Sequence, residues 1–193
     1  YGSFLSTALW RCNYRYAIDN VMDPMHGAYL HAKSHSMSTG DKSAQMRLSE
    51  TGQGWMFEKE NQSGVNFDWV EFADTGTFWM RLAIPYRKNA GPGGNFTIIG
   101  FVTPVTEHVC QVYFWRVRKV SGWERDTWRF LYKNRLEGLH WDVLEQDRVV
   151  LEAMQDNART RESLYQHDAG MTKIRRDLRI LAQKQVNTQT SHA

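Results

Sequence analysis

The chain has 193 residues, of which 41% are hydrophobic and 23% are charged, and its formal net charge is +3. This length allows one domain with a substantial core, and the composition is that of a globular protein. The small net charge and the scattered basic residues argue against a nucleic-acid partner. No run of 18 apolar residues is present, so the sequence predicts no membrane span.

The N-terminal part of the chain predicts one helix. Residues 1–12 have no clear period and fit either a strand or the end of a linker. From residue 13 to residue 22, apolar residues recur at helical spacing. We therefore expect a helix that leads into a segment rich in potential metal ligands.

Two histidines, His26 and His31, lie five residues apart in that segment. Neutral imidazole is the commonest protein metal ligand, but five residues of straight helix turn two side chains about 140° apart. Pro24 and Gly27 can end or kink the helix here, which would let both rings face one ion. The alternative is an ordinary turn in which Asp23 caps a helix that begins at Pro24. Spacing alone does not decide between these two interpretations.

A competing pair consists of His31 and His35, which four-residue spacing would place on one helix face. This pair leaves His26 without a role. The alternating serines of residues 34–38 also make a poor helix. We therefore rank it second to the pair of His26 and His31.

The middle of the chain predicts strands. Five segments are rich in aromatic and β-branched residues, and turn-forming residues separate several of them. Because no helical pattern intervenes, we expect an antiparallel sheet. The predicted strands are residues 54–60, 65–72, 77–84, 95–103 and 109–117.

The C-terminal third predicts helices over residues 123–134, around Asp147, and from 170 to about 185, with a frayed end at 186–193. Together with the sheet, these helices give an α+β fold class. Asp147 falls on an apolar helix face, where an unpaired carboxylate costs several kcal/mol. The other members of this face are His140, Leu144, Leu151 and Met154.

Asp147 therefore needs a cation or several hydrogen-bond donors. A buried salt bridge to an arginine is the structural alternative. A carboxylate that joins His26 and His31 would instead complete the two-histidine, one-carboxylate triad of non-haem Fe(II) oxygenases.

Two groups of residues carry a family resemblance: Asn20-x2-Asp23-x2-His26-x4-His31, and a helical Gln146-Asp147-x4-Glu152 over a hundred residues later. This pattern resembles the catalytic domain of the Rieske-type aromatic-ring-hydroxylating oxygenases. The resemblance covers the chain from about Tyr14 to the C-terminal helix. Gln146 stands where many members have glutamate, a departure that leaves the next residue in place.

The resemblance implies a helix-grip (START-like) sheet around a long helix, with a mononuclear Fe(II) ion held by His26, His31 and Asp147. It also implies that Asp23 connects this iron to the Rieske cluster of a neighbouring subunit, and that Asn20 lies near the iron. Asp23 precedes His26 by three residues, so it can also accept a hydrogen bond from a ligand imidazole. The implied function is the terminal component of a ring-hydroxylating mono- or dioxygenase acting on an aromatic substrate and O2.

Cys12 and Cys110 are the only cysteines, and neither lies in a pattern that suits a Rieske cluster, which needs two cysteines and two histidines. We therefore expect residues 1–193 to form the mononuclear-iron domain alone. The two-iron two-sulfur cluster would come from outside this chain, with NAD(P)H electrons passing through a reductase or ferredoxin. By resemblance, a homotrimer or α3β3 assembly is expected. Two distant cysteines fit free thiols in the cytoplasm.

Two other functions remain open at this stage. A helix-grip fold also serves as a non-catalytic module that binds an apolar ligand or acts as a structural subunit. Zinc hydrolysis on the same ligands lacks an evident general base. Substrate residues stay unassigned, because Arg81, Arg116 and His108 lie on or beside strands whose register the sequence does not give.

Overall fold

The structure is a computed structural model that describes residues 1–31, 33, 41–61, 68–84 and 93–190. Within these ranges, seven strands form one antiparallel sheet in the order β1-β7-β6-β5-β4-β3-β2. The strands are β1 (Gly2–Trp10), β2 (Met46–Glu50), β3 (Gly54–Lys59), β4 (Trp69–Ala73), β5 (Thr77–Ile84), β6 (Gly94–Thr106) and β7 (Val109–Arg118).

Five α-helices accompany the sheet in the described ranges. They are α1 (Tyr14–Val21), α2 (His26–Leu30), α3 (Gly122–Leu131), α4 (Glu137–Glu152) and α5 (Ala169–Thr190). A π-helical segment, Tyr132–Leu136, joins α3 to α4, and two short 3₁₀ turns, Ala158–Thr160 and Gln166–Asp168, precede α5. The predicted α+β class with an antiparallel sheet is confirmed. No described helix is both long and apolar enough to cross a membrane.

The helices cover one face of the sheet. Along β7, buried residues alternate with more exposed ones, as expected when one face of a sheet meets the core. The buried face of β7 carries Cys110, Val112, Phe114 and Arg116. Trp128 of α3 and Ile174 of α5, both fully buried, belong to the same core. The core therefore lies in the layer between the sheet and the helices.

The two cysteines meet in this core. The Sγ atoms of Cys12 and Cys110 lie 3.9 Å apart, and both side chains are buried. They are not joined as a disulfide, which confirms the predicted free thiols.

The boundaries differ from the predicted ones at several places. Residues 1–12, which the sequence left open, form the edge strand β1, and β2 was not predicted at all. The helix α5 continues to Thr190, past the predicted end near residue 185. The predicted strand 65–72 is observed as β4 from Trp69; its first residues lie outside the described ranges.

The buried residues along the helical segments from α3 to α4 do not follow the regular α-helical spacing. Its buried residues Trp128, Tyr132 and Leu136 are spaced by four, and Leu144 continues the series two steps later. On a regular α-helix, four-residue spacing drifts by about 40° per step, or about 160° between Trp128 and Leu144. The π-helical turn, with its i→i+5 hydrogen bonds, takes up part of this drift, and both Trp128 and Leu144 belong to the core.

Candidate metal centre

The helix α1 delivers the chain to the histidine segment. The side chain of Asn13 caps it by accepting a hydrogen bond from the backbone N–H of Arg15 at 3.0 Å. Its apolar face, which includes Ala17 and Val21, is buried in the core. The helix ends before Pro24, and α2 begins at His26. The predicted break is therefore present at Pro24, before both histidines rather than between them, and Gly27 lies within α2. His31 caps the end of α2 with non-helical angles, φ −97° and ψ 39°.

The rings of His26 and His31 are each fixed by an oxygen acceptor. The Nδ1 atom of His26 lies 2.5 Å from the backbone oxygen of Asp23. The Nδ1 atom of His31 lies 2.9 Å from Oε1 of Gln146. Since both partners are oxygen acceptors, each Nδ1 carries the proton, and in the neutral ring each Nε2 keeps its lone pair.

Asp147 lies on α4 opposite these two lone pairs and is only 5% exposed. Its Oδ1 atom is 3.5 Å from Nε2 of His26 and 3.3 Å from Nε2 of His31. The two Nε2 atoms are 3.3 Å apart. One ligand atom from each of the three residues thus lies within 4.8 Å of the other two.

This arrangement calls for a cation. With both Nδ1 atoms protonated, three lone pairs converge without a hydrogen between them, and Oδ1 of Asp147 has no hydrogen-bond donor in the described structure. Two ligand atoms held about 2.1 Å from one ion at roughly right angles lie about 3 Å apart, close to the observed separations. The donor set therefore fits a metal ion. The alternative of an arginine partner is not realised, because the ion pairs of Asp147 in the described ranges are with the two histidines.

The electrostatics of the cluster agree with this geometry. Burial by itself would raise the pKa of Asp147, but the adjacent His26 and His31 hold that pKa below its ordinary value. Burial would lower the pKa of His26, yet Asp147 and then Asp23 raise it above its ordinary value. Each group thus favours the charged form of its neighbour.

Asp23 contributes to the site through its backbone as well as its side chain. Its carbonyl oxygen, rather than its carboxylate, accepts the hydrogen bond from His26. The carboxylate accepts a hydrogen bond from the backbone N–H of Met25 at 2.7 Å. Burial raises the pKa of Asp23 above its ordinary value. The predicted hydrogen bond between a ligand imidazole and Asp23 is therefore made through the backbone oxygen of Asp23.

The remaining sequence candidates are Asn20 and His35. Asn20 is in the last turn of α1, where its backbone oxygen accepts a hydrogen bond from Asp23 at 3.2 Å. His35 lies outside the described residues. Sequence reasoning missed the role of Gln146, which it recorded only as a departure from the family pattern. Its position directly before Asp147 was the available signal.

A cluster of two histidines and one aspartate between a sheet and helices is typical of the catalytic domains of non-haem Fe(II) oxygenases. The chain belongs to this class through the family described as vanillate O-demethylase oxygenase C-terminal domain, whose model matches residues 10–184. No protein of curated function matches the chain by sequence.

Solved structures show the same fold. Dicamba monooxygenase bound to dicamba is 16% identical with a TM-score of 0.67, and the match covers 97% of this chain and 60% of that one. The terminal oxygenase of carbazole 1,9a-dioxygenase from Nocardioides aromaticivorans IC177 is 17% identical with a TM-score of 0.63, over 89% of this chain and 55% of that one. A complex of a carbazole 1,9a-dioxygenase oxygenase with ferredoxin is 15% identical with a TM-score of 0.62, over 88% and 52%. The chain therefore spans between half and two thirds of these proteins.

Proposed function

We propose that this chain is the catalytic domain of the terminal component of a ring-hydroxylating oxygenase, and that His26, His31 and Asp147 bind a mononuclear Fe(II) ion. The observation that carries the proposal is the convergence of three acceptor atoms, separated by 3.3 to 3.5 Å, on one buried point. Two histidines and one carboxylate leave coordination positions open. Fe(II) bound there would supply the activation of dioxygen beside an organic substrate.

The residues of the chain prepare this site before any ion arrives. The carbonyl of Asp23 and the amide of Gln146 select the Nδ1–H form of each histidine, which aims each Nε2 inward. Asp147 supplies the negative charge that offsets part of the charge of a divalent cation. The burial of His31 and Asp147 keeps bulk water away from the ligand atoms.

The electron route is part of the same proposal. The carboxylate of Asp23 is held next to His26 by the N–H of Met25, and this placement suits a hydrogen-bonded connection from His26 to the Rieske domain of a neighbouring subunit. Asn20, one turn earlier, would orient small molecules near the ion. Electrons would come from NAD(P)H through a reductase or ferredoxin and a two-iron two-sulfur cluster outside this chain.

The assembly and setting follow from that route. A cluster that serves the iron of its neighbour requires several subunits, so we propose a homotrimer or an α3β3 complex in the cytoplasm. An aromatic substrate and O2 would meet at the iron. The solved carbazole 1,9a-dioxygenase complex with ferredoxin supports a ferredoxin partner, and dicamba monooxygenase bound to dicamba supports a small organic substrate.

The metal assignment is tested by iron analysis after anaerobic loading with Fe(II). The wild-type protein should bind about one iron per chain, whereas His26→Ala and His31→Ala should each lose most of it, since two remaining ligands hold a divalent ion weakly. His108→Ala is the matched control, because the His108 side chain is 70% exposed. Full iron content in both ligand variants would overturn the assignment.

The reaction is tested with the Rieske domain, a reductase and NAD(P)H present. Isotopically labelled O2 should place label in an oxidised aromatic product. Asp23→Ala should abolish this turnover while keeping the iron, because it removes the connection and not a ligand. Coupled turnover that is unchanged in Asp23→Ala would contradict the role of Asp23.

A further inference from the structure

Cys12 and Cys110 form a pair of buried thiols that takes no part in the metal centre. Their Sγ atoms lie 3.9 Å apart, although the two residues are 98 positions apart in the sequence. They are the only cysteines of the chain. A disulfide has an S–S distance of about 2.05 Å, so each sulfur would have to move by about 1 Å. Rotation about the Cα–Cβ bond moves Sγ while the backbone stays in place, so the two side chains can close a gap of this size.

The backbone brings the two thiols together where a strand ends. Cys110 on β7 lies opposite Trp10, the last residue of β1. The chain then bends at residues 11–12 before α1 begins at Tyr14. Cys12 is therefore two residues past the position opposite Cys110, and the bend interrupts the ladder so that the two sulfurs can approach each other.

The thiol of Cys12 lies just below the surface. It is 6% exposed, but Arg11 is exposed and Asn13 is only half-buried. The backbone N–H of Arg11 donates a hydrogen bond to Glu152, and the side chain of Asn13 donates one to the backbone oxygen of Glu107, each at 2.9 Å and each open to solvent. Water can replace hydrogen bonds of this kind during local opening. A molecule as small as hydrogen peroxide can therefore reach the pair.

The contact between the thiols favours the form that reacts. A hydrogen bond from the thiol of Cys12 lowers the pKa of Cys110 below its ordinary value. The thiolate, rather than the thiol, is the nucleophile in cysteine oxidation. A second thiol in contact can capture an oxidised sulfur before it is oxidised further. The pair thus contains both an attacking and a resolving sulfur.

We propose that Cys12 and Cys110 form a reversible disulfide when the protein meets hydrogen peroxide. One thiol first takes an oxygen atom from the peroxide and becomes a sulfenic acid, while the O–O bond breaks and one water leaves. The other thiol then attacks that sulfur, so that the S–S bond forms, the S–O bond breaks and a second water leaves. Two electrons pass from the thiols to the peroxide. Exchange with a small thiol such as glutathione restores the reduced pair.

The disulfide would join the beginning of α1 to β7. It would close a loop that contains His26 and His31, and Asp147 follows this loop in the sequence. Closing a loop of this length restricts the unfolded chain and so stabilises the folded one. The oxidised protein should therefore unfold at a Tm at least about 5 °C above that of the reduced protein. No metal ion is needed for this effect.

The test equilibrates the reduced protein with mixtures of reduced and oxidised glutathione. Free thiols are counted after acid quenching, and peptide mapping without reduction identifies a cross-linked peptide that contains both cysteines. The same equilibrium in denaturant is the matched reference, because unfolding removes the contact and keeps the sequence. We expect the equilibrium constant for the disulfide to be at least about tenfold larger in the folded protein. Brief exposure to peroxide should give the same cross-linked peptide, and dithiothreitol should remove it.

Single-cysteine variants separate this pair from other oxidation. Cys12→Ala and Cys110→Ala each keep one thiol, so neither should show a rise in Tm after oxidation. The peptide map of the wild-type protein carries the result even if one variant fails to fold. Equal equilibrium constants in the folded and unfolded protein, thiols that stay free after peroxide, or a lower Tm of the oxidised protein would overturn the proposal.

Discussion

Replacement of Arg175 by methionine should lower the free energy of unfolding by about 3 kcal/mol. Arg175 on α5 donates to both carboxylate oxygens of Asp19 on α1, at 3.0 Å from Nε and 2.7 Å from Nη2, and also to Glu162. Removing one partner of a buried pair costs about 3–5 kcal/mol. The two side chains are 17% and 10% exposed, so solvent screens part of the loss and the lower figure applies. In a domain of this size, that corresponds to a fall of about 6–12 °C in Tm.

The loss should depend on pH. Burial already raises the pKa of Asp19, even though Arg175 acts to lower it, and without Arg175 the pKa should rise further. A carboxyl whose folded pKa exceeds its unfolded pKa destabilises the protein once it ionises. The loss in free energy of unfolding should therefore be small near about pH 5 and larger near about pH 8.

Chemical denaturation at both pH values measures this deficit. Asp19→Asn combined with Arg175→Met should recover most of the loss, because no buried charge remains. Arg179→Met, at an exposed position of the same helix, is the control and should be near neutral. An Arg175→Met protein that unfolds at the wild-type denaturant concentration at both pH values would refute the reasoning.

Three further predictions concern the metal centre and the sheet. Fe(II) at a hundred times its Kd should stabilise the wild-type protein by about 2.7 kcal/mol, measured by thermal unfolding. The control variant Asp142→Asn, at an exposed position, should be stabilised equally, whereas the stability of Asp147→Asn should not change. Gln146→Leu should weaken Fe(II) binding about 10–100-fold, whereas Gln146→Glu keeps an acceptor for His31 and should not, as iron titration can show. Gly54→Ala should cost about 1–3 kcal/mol in denaturant, since its Cβ would lie 2.1 Å from a backbone oxygen, whereas Gly52→Ala meets nothing within 4 Å and should be neutral.

Secondary structure was predictable where the apolar period is strong. The helical period of α1 and the proline after it give both the helix and its end. The strands β3 to β7 were predictable because they are rich in aromatic and β-branched residues. The edge strand β2, Met-Arg-Leu-Ser-Glu, is largely exposed and has no β-branched or aromatic residue, so nothing in its sequence signals a strand.

The candidate site was predictable in its residues but not in its contacts. The family spacing gave His26, His31 and Asp147, whose convergence depends on packing between α4 and the N-terminal helices. Atom-level roles, such as the carbonyl of Asp23, require coordinates. The face of the sheet on which Arg116 lies was not predictable, because a strand residue changes face with a shift of one position.

The π-helical segment Tyr132–Leu136 determines how α4 is rotated about its own axis. One extra residue turns every later side chain of a helix by about 100°, so an alanine inserted there and absorbed as regular helix would swing Asp147 away from both imidazoles. The length of a segment that contains no metal ligand would then govern whether the ion is held. Loop-free helical junctions of this kind make the geometry of a distant carboxylate sensitive to a single insertion or deletion.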